Sequence, residues 1–134
     1  MLPHSLRLRS KDVRYLTKKR QYFPKGLFGF FYIKQYPNLL FNQFSCHITI
    51  KLSKHATKRN FMKRTIMNAL REKKANQLAI GGQFYKVFIV LNKNMLSNLQ
   101  LLLQEKKKAE AKTYLLQAFE SAFTSFQSFL CSKK

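Results

Sequence analysis

Few side chains in this sequence could perform acid–base or metal chemistry. The five acidic residues are scattered along the chain as Asp12, Glu72, Glu105, Glu110 and Glu120. The three histidines, His4, His47 and His55, have neither a cysteine nor an acid at ligand spacing. Catalytic pairs and metal sites need such groups close together in a defined geometry. The pattern therefore indicates no catalytic residue and no metal held by the protein.

Basic residues point instead to the binding of phosphate groups. The densest cluster covers residues 54–64 and includes Lys54, Lys58, Arg59, Asn60, Lys63 and Arg64. At about 100° per residue, a helix here places Asn60, Lys63, Arg64, Arg71 and Lys74 opposite Met62, Ile66, Ala69 and Leu70. Arg and Lys donate charge-assisted hydrogen bonds to phosphate, and Thr57 is suited to cap the helix start, where free amides favour anions.

Solvation alone is the usual explanation of a basic helix face when acidic residues are interspersed with the basic ones. Glu72 is the only acid between residues 54 and 74. We therefore interpret this helix face as a nucleic-acid-binding surface.

The whole chain is strongly basic. Its 134 residues include 26 Lys and Arg against five Asp and Glu, for a formal net charge of +21. Such a charge suits a protein that works beside a polyanion, with nucleic acid the first candidate and an anionic membrane surface the second. Hydrophobic residues make up 46% and Phe occurs 13 times, which excludes a wholly disordered basic tail and predicts one folded domain over residues 1–134.

The sequence predicts a cytoplasmic location. The apolar run from Leu27 to Ile33 is much too short to span a bilayer, which needs about 20 residues. The first residues lead into Arg7 and Arg9 without the apolar block of a secretory signal. Cys46 and Cys131 show no metal spacing and lie in apolar patterns, which predicts reduced, buried thiols.

Periodicity predicts the elements that must position the basic cluster. A short basic helix follows Ser10-Lys11-Asp12 and ends before Pro24 and Gly26, and an aromatic strand covers Leu27 to Tyr36. Phe44, Cys46, Ile48, Ile50 and Leu52 alternate with polar residues, as in a strand with one buried face. A helix over Thr57 to Lys74 and an interior strand over Phe84 to Leu91 follow. Residues 95–134 read as helix, either one bent helix or two. The order predicts an α+β fold in which helices pack on a small mixed sheet.

Three motifs in this order carry a family resemblance. They are Arg7-Leu8-Arg9-Ser10-Lys11-Asp12-Val13, then Leu52-Ser53-Lys54 with Arg59-Asn60-Phe61-Met62-Lys63-Arg64, then the run from Phe84 to Lys93. Together they resemble the protein subunit of bacterial ribonuclease P, whose signature is a strand ending in Ser-Lys and a helix starting Arg-Asn-Arg-x-Lys-Arg. The resemblance covers residues 6–93, and the helical part over residues 95–134 is longer than the family typically needs.

The chain departs from the family pattern at several positions. Phe61 stands at the second Arg of the motif, Val13 at the usual Phe, and Met67 where a further basic residue is common. The loop between Lys54 and Arg59 is also shortened.

The resemblance implies a fold and a set of contacts. The fold is a two-layer α-β sandwich like the second domain of ribosomal protein S5, with a left-handed strand–helix–strand crossover. The helix face meets the catalytic RNA through Lys54, Lys58, Arg59, Asn60, Lys63, Arg64 and Arg71. A cleft between the first helix and the sheet holds the single-stranded 5′ leader of precursor tRNA, with Tyr32, Lys34, Lys51, Arg9, Lys11 and Arg14 as its expected residues.

The resemblance also implies how the chemistry is divided. The RNA subunit hydrolyses one phosphodiester of precursor tRNA with Mg²⁺ held mainly by RNA, and the protein acts as an accessory subunit. Its expected partners are ribonuclease P RNA and the 5′ leader, with no membrane and no small-molecule substrate. Phe30, Tyr32 and Lys34 share one strand face, and aromatic rings beside positive charge hold single strands. Core packing is the better explanation for Phe30, and for Tyr32 both explanations stay open.

Three other functions fit parts of the pattern. A ribosomal or other structural RNA-binding protein would share the charge and fold without a preference for a leader. A cationic protein of membrane surfaces would use the Phe-rich C-terminal helix, although the interior-type strand at 84–91 argues against it. A stand-alone nuclease is disfavoured by the absence of paired carboxylates.

Overall fold

A computed structural model of the chain describes residues 10–19, 21–49, 52–75, 77–92, 95–105 and 107–132. The described residues form four helices and four strands. In chain order these are α1 (Ser10–Lys19), β1 (Tyr22–Lys25), β2 (Phe28–Lys34), β3 (Gln43–His47), α2 (Ala56–Glu72), β4 (Tyr85–Leu91), α3 (Ser97–Gln104) and α4 (Lys108–Ser132). The predicted α+β class with a mixed sheet is confirmed.

The four strands form one sheet in the order β1-β2-β4-β3. The β1–β2 and β2–β4 pairs are antiparallel, and β3 runs parallel to β4. A parallel pair needs a crossover connection, which α2 supplies between β3 and β4. β4 is an interior strand, as predicted, because both of its faces carry large apolar residues. The hand of the crossover stays a prediction of the resemblance.

The sheet has two unlike faces. Phe28, Phe30 and Tyr32 of β2 share one face, and their rings pack against phenylalanines of α4. Phe31 points to the opposite face, where α1 lies. The long C-terminal helix thus covers one side of the sheet and the short N-terminal helix part of the other.

Aromatic packing dominates the core under α4. The Phe30 and Phe126 rings stack with centroids 4.5 Å apart, and Phe28 meets Phe119 edge to face at 5.3 Å. Offset stacks and edge-to-face pairs are the favoured geometries of aromatic quadrupoles. Buried residues of α2 join this core, including Met62, Ile66, Ala69 and Leu70 as predicted. The predicted core position of Phe30 is confirmed.

The β1–β2 hairpin is not evident from the sequence pattern. Pro24 and Gly26 were expected only to end the first helix, but Pro24 lies inside β1 and Gly26 forms the turn with φ +56°. Glycine adopts this left-handed backbone without steric cost. Gly29 of β2 leaves room for the Tyr22 ring, which would have to move aside for a Cβ at this position.

The alternating segment at 44–52 behaves as predicted in burial but is shorter as a strand. Phe44, Cys46, Ile48 and Leu52 are buried, although β3 ends at His47. Ile50 lies outside the described residues. The helix predicted over Thr57 to Lys74 is α2, and its buried Met67 fills a position where a basic residue had been expected from the family.

The C-terminal region forms two helices, which decides the question that periodicity left open. α3 ends at Gln104 and α4 begins at Lys108. Leu99 and Leu103 of α3 are buried, and α4 buries a long stripe comprising Ala111, Leu115, Phe119, Ala122, Phe123, Phe126 and Leu130. This stripe completes the core that the sheet and α2 begin.

A buried ion pair ties α1 to the sheet. Leu16 of α1 is fully buried, and Lys86 of β4 is only 3% exposed. The Lys86 ammonium lies 3.0 Å from the Asp12 carboxylate and 4.1 Å from the centre of the Tyr36 ring. A buried cation needs such partners because it has lost its hydration. These contacts fix α1 above one end of the sheet.

Candidate nucleic-acid interface

Three exposed residues of α2, one amide and two arginines, form a basic ridge on the helix. Asn60, Arg64 and Arg71 are exposed, and at about 100° per residue they lie within a 40° sector opposite the buried Met62. Lys54 is exposed in the loop that precedes the helix. The predicted amphipathic arrangement is therefore present, with the core on one side and positive charge on the other.

The other predicted residues of this surface flank the ridge and are half-buried. The Lys58 ammonium donates a hydrogen bond to the Leu103 carbonyl at 3.3 Å, and the Arg59 guanidinium donates one to the Ser53 carbonyl at 2.9 Å. Lys63 lies close enough to buried Cys46 to lower its pKa slightly against the larger effect of burial. The bonds of Lys58 and Arg59 brace the start of α2, and the charges of all three side chains remain near the ridge.

The start of α2 differs from the expectation for Thr57. His55 is the residue at the N-cap position, and its side chain makes no capping hydrogen bond. Thr57 lies one residue inside the helix that begins at Ala56, so its hydroxyl is past the capping position.

Phe61 lies on the side of α2 that faces the C-terminal helices. Its ring packs against the core cluster, and the Lys108 ammonium of α4 lies 4.4 Å from the ring centroid. This apolar side chain therefore fills a contact between helices, where a free arginine would be partly buried. The departure from the family motif has a packing reason in this chain.

A second candidate surface is the cleft between α1 and the sheet. Tyr22, Phe31 and Phe88 lie side by side on three neighbouring strands. The ring centroids of Tyr22 and Phe31 are 4.6 Å apart, and those of Phe31 and Phe88 are 6.2 Å apart. All three side chains keep some exposure, and burial raises the pKa of the Tyr22 phenol. The sheet thus offers an aromatic platform to solvent.

Polar groups surround this platform. A cavity of about 620 Å³ is lined by Tyr22, Phe31 and Phe88 together with Thr17, His47, Thr49, Val90, Leu91 and Asn92. Aromatic rings in an open groove are suited to stacking with unpaired bases. The cleft can therefore hold a single strand by its bases.

The residues predicted for this cleft are distributed differently. Lys11 and Arg14 are exposed on α1, and the helical geometry places both on the side opposite buried Leu16, on the outer surface of the helix. They can contribute charge at the rim of the cleft but do not line it. Arg9 and Lys51 lie outside the described residues.

The prediction that Tyr32 and Lys34 line this cleft is wrong in its geometry. Tyr32 is 5% exposed and packs edge to face against Phe126, on the α4 face of the sheet. Together with exposed Lys34 it lines a separate cavity of about 380 Å³ beside Leu130. Successive residues of a strand point to opposite faces, so Phe31 takes the cleft position.

The cleft residues Phe31, Phe88 and Tyr22 were not identified from the sequence. In β4, alternation does not single out Phe88, because both faces of that strand carry apolar residues. In β2 the signal is missing because Phe30, Phe31 and Tyr32 are all aromatic. Tyr22 was missed together with the hairpin that carries it.

Other chemistry-bearing groups add little to these two surfaces. Among the described residues, no three His, Cys, Asp or Glu side chains gather in a group that could hold a metal ion. Burial raises the pKa of the Cys46 thiol to about 12. Cys131 is exposed, which contradicts its predicted burial. No described helix is long and apolar enough to cross a membrane.

Known structures resemble this chain, although known sequences do not. No family model matches the sequence, and no curated protein matches it significantly. A Staphylococcus aureus RNase P protein structure at 2.0 Å superposes with a TM-score of 0.65 over 89% of this chain and 93% of that one, at 14% identity. The chain has the fold of bacterial RNase P proteins.

Two further structures support this assignment of the fold. Another Staphylococcus aureus RNase P protein structure matches with a TM-score of 0.62 and 15% identity, covering 95% of this chain and 93% of that one. The RNase P protein of Thermotoga maritima matches with a TM-score of 0.58 and 18% identity, covering 83% of this chain and 92% of that one. Because these matches reach into the C-terminal region, the RNase P protein fold extends beyond residues 6–93.

Proposed function

We propose that this chain is the protein subunit of a bacterial-type ribonuclease P. The observation that carries the proposal is the combination, on one RNase P protein fold, of a basic α2 ridge with an open aromatic cleft beside α1. The two surfaces suit two forms of RNA. The ridge fits the phosphates of folded RNA, and the cleft fits unpaired nucleotides.

The catalytic RNA binds along α2 in this proposal. Asn60, Arg64 and Arg71 meet its phosphates directly. Lys54, Lys63 and the braced Lys58 and Arg59 add charge beside them. Phosphate contacts fix the position of the protein without reading sequence. The protein therefore docks by the shape and charge of the RNA.

The 5′ leader of precursor tRNA occupies the cleft. Phe31 and Phe88 offer stacking surfaces near the centre of the sheet, and Tyr22 extends them to the edge. Lys11 and Arg14 on the outer side of α1 attract the leader backbone at the rim. Binding the leader raises the affinity of the complex for precursor tRNA over mature tRNA.

Hydrolysis is assigned to the RNA subunit. Mg²⁺ would be held mainly by RNA phosphates and would supply the Lewis acid for hydrolysis of the phosphodiester, which leaves a 5′-phosphate on the tRNA. The protein contributes positive charge that offsets repulsion between two RNAs, which lowers the Mg²⁺ concentration that cleavage requires.

The decisive experiment is cleavage of precursor tRNA by a bacterial ribonuclease P RNA at low Mg²⁺, with and without this protein. Substrates with long and short 5′ leaders are compared. We expect the protein to restore cleavage and to favour the longer leader. A protein that binds both RNAs but neither restores cleavage nor responds to leader length would instead be a structural RNA-binding protein.

A further inference from the structure

The start of α4 lies directly beside the start of α2. The Lys108 ammonium lies over the Phe61 ring at 4.4 Å, and at the far end Lys73, the residue that follows α2, pairs with Glu120 of α4. Phe61 contacts Lys108 near one end, and Lys73 contacts Glu120 near the other. Because both positions move forward along the chain together, the two helices run in the same direction. The first turns of α4 therefore border the RNA-binding half of α2.

The lysines of these first turns lie on the side of α4 that faces α2. At about 100° per residue, Lys108 and Lys112 are separated by 40° around the helix, while Glu110 lies on the opposite side. Glu105, just before α4, is already paired with Lys107 at 3.0 Å. The positive charges of Lys108 and Lys112 are consequently not neutralised by the acids nearest to them in sequence.

Two surface cavities flank Phe61, and each is lined by one basic side chain of α2 and one of α4. The first, of about 270 Å³, is lined by Lys58 and Lys108 together with Thr57, Phe61 and Leu103. The second, of about 330 Å³, is lined by Arg64 and Lys112, with Phe61, Asn68 and Glu72 among its other residues. We call the surface formed by Lys58, Arg64, Lys108 and Lys112 around Phe61 the basic seam.

Charge along the α2–α4 contact changes from one end to the other. The basic seam has four cations, and Glu72 is the one acid that reaches its second cavity. At the far end, Lys73 is neutralised by Glu120. The net positive charge is thus concentrated beside the exposed ridge residues Asn60 and Arg64.

We propose that the first turns of α4 are part of the RNA-binding surface, with Lys108 and Lys112 binding backbone phosphates of the same folded RNA as Arg64. This inference rests on the proposed function and assigns a role to the C-terminal region, for which the sequence indicated none. Phe61 supports the seam by packing between the helices and holding the Lys108 ammonium at the surface. The RNA footprint is then two helices wide.

The test compares the double variant Lys108→Ala/Lys112→Ala with the unchanged protein in binding to a bacterial ribonuclease P RNA, without precursor tRNA, over a range of KCl concentrations. Each lost phosphate contact reduces the slope, taken here as the magnitude of the fall of log K with log salt, by about 0.7 to 0.9. We expect the double variant to lose about 1.4 to 1.8 from this slope. Thermal unfolding of each variant establishes that it is folded.

Two matched variants separate a seam contact from a general effect of charge. Lys108→Arg/Lys112→Arg keeps both charges in place and is expected to keep the slope. Lys18→Ala/Lys25→Ala removes the same charge from exposed positions on α1 and β1 and is also expected to keep it. A control slope that falls as far as that of the Lys108 and Lys112 variant would overturn the proposal.

The outcomes also separate this inference from the proposed function. If Arg64→Ala/Arg71→Ala lowers the slope while Lys108→Ala/Lys112→Ala does not, α2 binds the RNA without α4 and the inference is wrong. If the unchanged protein does not bind the ribonuclease P RNA, the proposed function fails and the inference fails with it.

Discussion

At the scale of single residues, two neighbouring aromatic side chains of β2 have opposite surroundings. Phe30 is fully buried and stacks on Phe126 of α4. Phe31 lies between Tyr22 and Phe88 on the α1 face and keeps part of its ring exposed. The first ring therefore contributes to stability and the second is available for a ligand.

We predict that Phe31→Ala weakens binding of precursor tRNA to the ribonucleoprotein. Stacking of one base on an aromatic ring contributes about 1–3 kcal/mol, so the expected loss in affinity is about 5-fold to 150-fold. The measurement is the Kd of the assembled complex for precursor tRNA with a long leader and for the same tRNA without one.

Only the substrate with a leader should be affected by Phe31→Ala. Tyr32→Phe is the matched control, because it keeps a ring on the other face of the same strand. An equal loss for both substrates would show that Phe31 supports the fold or the catalytic RNA and does not contact the leader.

The cleft residue on β2 could not be chosen from the sequence. An alternating strand shows which residues share a face, but the consecutive aromatic residues Phe30, Phe31 and Tyr32 are compatible with either phase. The phase is set by α4, whose phenylalanines cover Phe30 and Tyr32. In α2, by contrast, the basic ridge followed directly from helical periodicity because polar and apolar residues separate cleanly there.

At the scale of elements, the position of α1 depends on the ion pair between Asp12 and Lys86. Lys86 comes from the central strand β4, and its ammonium is almost completely removed from water. Loss of Asp12 would leave that charge without its carboxylate partner in a poorly solvated place. The helix that forms one wall of the cleft is thus held by an electrostatic contact.

We predict that Asp12→Ala lowers the free energy of unfolding by about 3–5 kcal/mol, the usual cost of removing one partner from a buried ion pair. Urea denaturation followed by circular dichroism measures the change. The double variant Asp12→Ala/Lys86→Met is the control, and it should recover part of the loss because no buried charge remains. A loss below about 1 kcal/mol for Asp12→Ala would place the pair among weak surface contacts.

Helices and strands differ in how well the sequence predicts them here. α2 and β4 have long, regular patterns, and the sequence located both within two residues of their ends. β1 was missed because it has four residues and contains Pro24, which normally argues against a strand. The break between α3 and α4 could not be predicted either, because no Gly or Pro marks it in the sequence.

At the scale of the whole molecule, stability and RNA binding should respond to salt in opposite directions. A net charge of +21 on 134 residues repels itself in the folded state, and salt screens that repulsion. The same screening weakens every phosphate contact.

We predict that raising KCl from 50 to 200 mM increases the Tm of the free protein by a few degrees and lowers its affinity for ribonuclease P RNA about a thousandfold. Differential scanning calorimetry and filter binding measure the two effects. Sucrose, an uncharged solute, should raise the Tm without the loss of affinity. A Tm that is constant or falls with KCl would mean that self-repulsion does not limit the stability of the fold.

The proline in β1 has a consequence for association between copies of the chain. The Tyr32 amide donates a hydrogen bond to the Gln21 carbonyl. Hydrogen-bonded and non-hydrogen-bonded pairs alternate along an antiparallel pair of strands. Pro24, three residues after Gln21, therefore belongs to a non-hydrogen-bonded pair, and its backbone groups point away from β2. The missing N–H of Pro24 therefore falls on the open edge of the sheet, next to the charge of Lys25. A second chain that tried to extend the sheet there would find no donor at that position and a lysine beside it. For a protein so rich in phenylalanine, this edge is a built-in protection against aggregation.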